Sequence, residues 1–202
     1  DVDIAKAVRG KLLQESAIRA LVQNIASCDE VWVVSRGAGE NLRSLGYEGD
    51  YIVMENGVDV PRGRVSDEAI AAATGRYDLP QNVPVFLFVG RLMWYKGIRI
   101  ILDALKTLRE KNVDFRMVFV GEGADGAEIR SYAEERKLSD RCFFTGAISD
   151  REIIRAWYGR SDLFLFPSTF DTNGLVVREA AASGTATVMI RNSCASEGVG
   201  DG

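Results

Sequence analysis

The chain has 202 residues, 47% of them hydrophobic and 27% charged, with a formal net charge of −4 and no histidine. That composition suits one large or two small globular domains. It lacks the basic stripe with interleaved aromatics expected of a nucleic-acid binder, and it excludes every histidine triad, histidine base and histidine metal site.

No stretch of about 18 apolar residues is available to span a membrane, and the opening DVDIAKAVRGKLL lacks the apolar centre of a signal peptide. The three cysteines, Cys28, Cys142 and Cys194, are widely spaced and odd in number. They form neither a disulfide framework nor a zinc motif and fit a reducing, cytoplasmic setting. The chain starts on Asp and stops on a glycine-rich SEGVGDG, so a piece of a longer protein is expected.

In chain order, a helical pattern over residues 3–26 leads to the strand EVWVVS, the helix AGENLRSLG and the strand YIVMENGVD. A Pro- and Gly-flanked helix follows, and a domain boundary is expected near Pro61, dividing the chain into residues 1–60 and 61–202. From Val85 onward, the short apolar runs VFLFVG, FRMVFVG, CFFTG, LFLFP and ATVMI alternate with amphipathic stretches. Continuous apolar strands separated by helices imply parallel strands covered on both faces. The expected fold is α/β, a doubly wound, Rossmann-like parallel sheet, with ligands at the carboxyl ends of its strands. Ser149 and Glu152 read as a capping box for the helix DREIIRAWYGR.

Three loops at those strand ends carry candidate chemistry. GEGADG, residues 121–126, has the G-x-G-x-x-G spacing of a dinucleotide turn. The ribose-binding acid that should end the next strand is missing, because Ala147 and Ile148 follow CFFTG. The turn alone is a weak signal and reads equally as a tight strand-to-helix connection. In VGRLMWYKG, Gly90 closes a strand, Arg91 follows it, and Lys96 precedes a helix. Two cations at a helix N-terminus favour a diphosphate, although the residues taken alone also fit a pair of solvated surface cations. In FDTNGLVVREAAASG, Asp171 lies before a helix and Glu179 about one turn inside it. By residue type they could be ligand clamps, an acid/base pair, or a helix cap and a surface charge.

The segments VGRLMWYKGIRIILDAL, FVGEGADGAEI, FFTGAISDREI and LFLFPSTFDTNGLVVREAAASGTATV together resemble the group 1 (family 4) retaining glycosyltransferases of GT-B architecture. VSRGAGENLRSLG and ENGVD resemble the end of that family's N-terminal half, so the resemblance covers nearly the whole chain in order. The family signature of Glu, seven residues and Glu reads here as Asp171, seven residues and Glu179. The resemblance implies that Asp171 meets hydroxyls of the donor sugar and that Glu179 holds the ribose hydroxyls. It implies that Arg91 and Lys96 hold the diphosphate and act in catalysis with Asp171. Ala147 and Ile148 would lie by the base, and Asn173, Gly174 and Leu175 would offer backbone N–H groups. Gly90, Gly121 and Gly123 would let the backbone approach the donor.

A departing nucleoside diphosphate gains negative charge, and preorganised cations and N–H groups stabilise it, each typically contributing about 3–4 kcal/mol. No Asp-x-Asp motif stands in these strand-end loops to hold a metal, so no metal or other cofactor is expected. Two departures bear on the donor sugar: Asp171 is one methylene shorter than Glu, and Asn173 stands where the family usually has Phe. GT-B trehalose-phosphate synthases also carry an Asp there. The expectation is a truncated donor-binding domain joined to the end of an N-terminal domain, lacking its last strand and helices and inactive alone. The full enzyme would use a nucleotide-sugar donor, with UDP as the expected nucleotide, and an acceptor that the sequence does not identify. Peripheral membrane association, common in such enzymes, has no support in these residues. The alternative is a GT-B-like module that binds a sugar nucleotide without transferring the sugar.

Overall fold

The computed structural model describes residues 2–59, 61 and 63–200. Val60 and Arg62, which flank the expected boundary at Pro61, lie outside the described residues, as do Asp1 and the closing Asp201 and Gly202. The chain divides into two compact units, Asp1–Asn56 and Gly57–Gly202.

The first unit contains α1 (Val2–Ala26), β1 (Trp32–Val33), α2 (Arg36–Ser44) and β2 (Ile52–Val53). Along α1, Ile18, Val22 and Ile25 form a half-buried stripe at helical spacing. β1 and β2 pair in parallel, Trp32 opposite Ile52 and Val33 opposite Val53. Both strands are far shorter than their apolar runs suggest. Ser35 ends the first by turning to cap α2, its Oγ accepting from the Ala38 N–H at 3.0 Å. Ile52, Val53 and Met54 in the second remain exposed, so burial does not extend the pairing there.

The second unit begins with α3 (Asp67–Thr74), whose Ser66 cap accepts from the Ala69 N–H at 3.2 Å. The alternation read from the sequence follows: β3 (Val85–Val89), α4 (Ile98–Glu110), β4 (Arg116–Val120), α5 (Gly126–Glu135), β5 (Cys142–Gly146), α6 (Arg151–Arg160), β6 (Leu163–Phe166), α7 (Leu175–Ala182) and β7 (Thr187–Met189). The five strands lie in the order β5-β4-β3-β6-β7, and every pairing is parallel. The expected doubly wound sheet is therefore present.

The chain moves outward from β3 through β4 to β5, then crosses back to β6 and β7. Right-handed crossovers put α4 and α5 on one face of the sheet and α6 and α7 on the other. Both faces are covered, which is why the central strands are apolar without alternation. Leu87, Phe88, Met117, Val118, Phe119, Phe164 and Phe166 are all at most 2% exposed. Each such side chain contributes roughly 2–3 kcal/mol by leaving water.

One capping assignment changes. α6 starts at Arg151 behind Asp150, whose carboxylate accepts from the Glu152 N–H at 2.9 Å and the Ile153 N–H at 3.4 Å. Asp150, not Ser149, is the cap. A carboxylate at this position also meets the positive end of the helix dipole, which a hydroxyl satisfies less well.

Candidate functional site

The strand order reverses between β3 and β6, and the loops after these two strands carry most of the candidate residues. In a doubly wound sheet this switch point opens the crevice that takes the ligand. Lys96 leaves β3 through a short 3₁₀ turn (Trp94–Lys96), and Asp171 follows β6. Across the crevice the Lys96 ammonium donates to Asp171 Oδ2 at 2.6 Å. Both side chains are mostly sheltered, at 13% and 18% exposure. The faces of Tyr95 and Phe166 lie 5.4 and 5.9 Å from the Lys96 nitrogen and add weaker attraction. Asp171 thus does not cap a helix; it is an ion-pair partner whose other oxygen accepts from the Thr172 N–H at 3.1 Å.

Two helices begin beside this pair. α4 is preceded by Gly97 and α7 by Gly174, both left-handed and neither able to cap with a side chain. The first-turn N–H groups therefore donate to no capping side chain, a setting that suits anions. At Gly97 the conformation is also imposed by contact, since a Cβ there would lie 2.3 Å from the Pro167 carbonyl oxygen. Arg91 is exposed, and its guanidinium makes no hydrogen bond or ion pair among the described residues. Gly90, just before it, donates to the Val120 carbonyl at 3.0 Å.

Gly121 and Gly123 have a reason for being glycine that needs no ligand. The β3 and β4 loops cross so closely that a Cβ would lie 2.0 Å from the Gly90 oxygen in one case and 2.3 Å from the Leu92 oxygen in the other. The crossing is bonded from Leu92 N–H to Glu122 O at 3.0 Å and from Trp94 N–H to Asp125 Oδ2 at 2.8 Å. Gly121 also donates to the Gly146 carbonyl at 2.9 Å, which ties in the β5 loop. On that loop Ala147 is exposed and Ile148 half-buried. β5 lies two strands from β3, about 10 Å across the sheet, so these two residues flank the crevice and do not line its centre.

Within the β6–α7 loop, Asn173 is 4% exposed, and its side-chain oxygen accepts from Arg178 Nε at 3.2 Å. Leu175, the first residue of α7, is exposed. Glu179 lies farther along α7, half-buried, with the Tyr158 hydroxyl 3.3 Å from Oε2. Burial raises the Glu179 carboxyl above the usual glutamate range, opposed by the Tyr158 hydrogen bond and the Arg151 charge.

Sequence reasoning did not find Tyr158, because a tyrosine on the apolar side of an amphipathic helix reads as core. It also did not find the exposed aromatic pair beside the ion pair, Tyr95 and Phe170, whose rings meet edge to face at 6.4 Å. Ser168, fully buried between Pro167 and Asp171, has an Oγ without a hydrogen-bond partner among the described residues. Among the same residues, no group of three or more acids or cysteines is placed to hold a metal ion. A cavity of about 730 Å³ opens at the other end of the sheet. Most of its hydroxyls are used locally: Thr74 donates to Ile70 O, Ser161 to Trp157 O and Thr185 to Tyr158 O.

The chain is 35% identical over 188 residues to the GDP-mannose-dependent alpha-(1-6)-phosphatidylinositol dimannoside mannosyltransferase of Mycobacterium tuberculosis, covering 91% of this chain and 46% of that protein. It is 33% identical over 134 residues to the 2-deoxystreptamine glucosyltransferase of Streptomyces kanamyceticus, covering 66% of this chain and 34% of that one. It thus spans less than half the length of either. Among solved structures, Anabaena HepE in complex with UDP and glucose superposes with a TM-score of 0.78 at 23% identity, over 93% of this chain and 51% of that one. That likeness establishes the GT-B type of fold. Residues 71–202 match the family described as glycosyl transferases group 1, and the chain belongs to that family.

Proposed function

We propose that the chain carries the nucleotide-sugar half of a retaining hexosyltransferase, with its first unit as the end of the N-terminal, acceptor-side domain. The observation that carries this reading is the Lys96–Asp171 pair at the switch point, set between two helix N-termini without side-chain caps. A donor diphosphate supplies the negative charge that these N–H groups, Lys96 and the unengaged Arg91 all favour. The donor sugar would then take up Asp171, freed from the ammonium, and the ribose would take up Glu179. Backbone N–H groups of Asn173, Gly174 and Leu175 would complete the anion's surroundings, with the base by Ala147 and Ile148.

UDP is the favoured nucleotide, because structural relatives include HepE with UDP and with UDP-glucose. GDP is the competing choice, given the GDP-mannose-dependent relative. Two side-chain cations suffice to neutralise a diphosphate, so the proposal requires no metal. The acceptor, bound by the other domain in this reading, stays undefined.

Calorimetric titration of the chain with UDP, GDP, UDP-glucose and NAD tests the reading, with Lys96→Ala and Glu179→Ala as controls. Binding of UDP or GDP, weakened in both variants, is the expected result. Binding of NAD without either nucleoside diphosphate would sink it. The chain alone is expected to show no sugar transfer.

A further inference from the structure

The Tyr158 hydroxyl stands where two groups of α7 converge. It lies 3.1 Å from the Val176 carbonyl oxygen and 3.3 Å from Glu179 Oε2. Val176 and Glu179 are three residues apart, so they share one face of the helix and one phenol can meet both. A phenol has a single proton, and both neighbours accept. The two distances are long for O–H···O bonds, as suits a proton divided between two acceptors.

The phenol is held firmly in place. Tyr158 is 1% exposed, its ring meets Phe164 of β6 edge to face at 5.5 Å, and its carbonyl accepts from Thr185 Oγ1 at 2.7 Å. Burial, the Glu179 charge and their hydrogen bond together raise the phenol's pKa well above the usual tyrosine value, so it stays a donor throughout the neutral range. A long, flexible glutamate is thereby given one fixed anchor. A carboxylate has about four lone-pair sites. With one engaged by Tyr158, Oε1 and the remaining site on Oε2 are left for a vicinal diol, which needs two.

Resting on the assignment of Glu179 to the ribose, we infer that Tyr158 is a positioning residue for the nucleotide. It fixes the Glu179 carboxylate so that both ribose hydroxyls are read, and so sets the preference for ribonucleotide over deoxyribonucleotide. A site built to hydrogen-bond a hydroxyl discriminates strongly against an analogue lacking it, because its own polar group is left unpaired. That discrimination depends on the carboxylate being held in register. A glutamate free to change rotamer can follow the one remaining hydroxyl and lose the distinction.

The test compares UDP with 2′-deoxy-UDP by calorimetry on the chain and on Tyr158→Phe, with a thermal melt of each. The two nucleotides share base and diphosphate, so Arg91 and Lys96 act on both alike. If GDP is the nucleotide that binds, GDP and 2′-deoxy-GDP replace them. The parent chain is expected to prefer the ribonucleotide. Tyr158→Phe should reduce that preference about tenfold, mainly through weaker ribonucleotide binding. Equal weakening of both nucleotides would mark Tyr158 as merely structural and overturn the inference. Equal binding of both by the parent chain would instead remove Glu179 from the ribose. Absence of nucleotide binding would reject the donor site as a whole.

Discussion

Lys96 and Asp171 lie 75 residues apart in sequence, yet their side chains meet at 2.6 Å across the carboxyl ends of adjacent strands. In this state each satisfies the other's charge. In the proposed donor complex, diphosphate would draw the ammonium away and the sugar would replace it at Asp171. Asp171→Asn should therefore tighten binding of UDP, which has no sugar to use the carboxylate, by about threefold. UDP-glucose should gain less or lose affinity, because its hydroxyls lose the charged acceptor. Calorimetry with both ligands checks this. A fall in UDP affinity would mean that Asp171 aims Lys96 at the phosphate and does not compete for it.

If Glu179 holds the ribose as proposed, nucleotide binding should be sensitive to acid. Burial raises its carboxyl above the usual value of 4.5, against the pull of Tyr158 and Arg151. A protonated carboxyl accepts poorly from two hydroxyls, so affinity should fall as pH drops through this raised value. UDP-glucose suits the measurement because its doubly esterified diphosphate does not titrate there. Glu179→Gln should weaken binding at neutral pH and flatten the acid limb.

The same shift has the opposite sign for stability. A carboxyl whose pKa is higher folded than unfolded binds more protons in the native state, so it favours folding most at low pH. That contribution disappears as pH rises through the folded value. Glu179→Gln should therefore raise the melting temperature at pH 7 and change it little at pH 4. A lower melting temperature at pH 7 would show that the charged form is well compensated.

Gly121 and Gly184 separate two reasons for glycine. Both have positive φ, 137° and 78°, but a Cβ on Gly121 would strike the Gly90 oxygen while Gly184 has open space. Gly121→Ala should cost about 3 kcal/mol or more in urea unfolding, from strain and backbone overlap together. Gly184→Ala should cost about 1 kcal/mol, the strain alone.

The cysteines should differ in reactivity. Burial, reinforced by the Asp140 charge, pushes the Cys142 thiol up to about 12, while Cys28 is exposed and Cys194 partly so. A disulfide reagent at pH 8 should modify Cys28 first and spare Cys142 until denaturant is added.

Burial on both faces made the sheet legible. VFLFVG, FRMVFVG, CFFTG and LFLFP are apolar without alternation because each strand has helices above and below. VWVVS and YIVMENGVD are apolar too, but a serine cap and exposure cut them to two paired residues each. Lys96 and Asp171 could be named from their loops, whereas their contact could not, since it depends on β6 returning beside β3. The α6 cap was misplaced by one residue because Ser149 and Asp150 both suit the position, and only backbone geometry chooses between them. Tyr158 was hidden because its ring serves the core while its hydroxyl serves Glu179.

The near-contact of Gly97 with the Pro167 carbonyl joins the two walls of the crevice backbone to backbone. A side chain at position 97 would displace the facing wall, so the glycine sets how closely the two walls approach. In the proposed donor site, the exposed Phe170 is the side chain that can be exchanged with least disturbance, since Asp171 is tied to Lys96 and Asn173 is buried against Arg178. A loop grafted onto one wall would have to keep this close approach to the other.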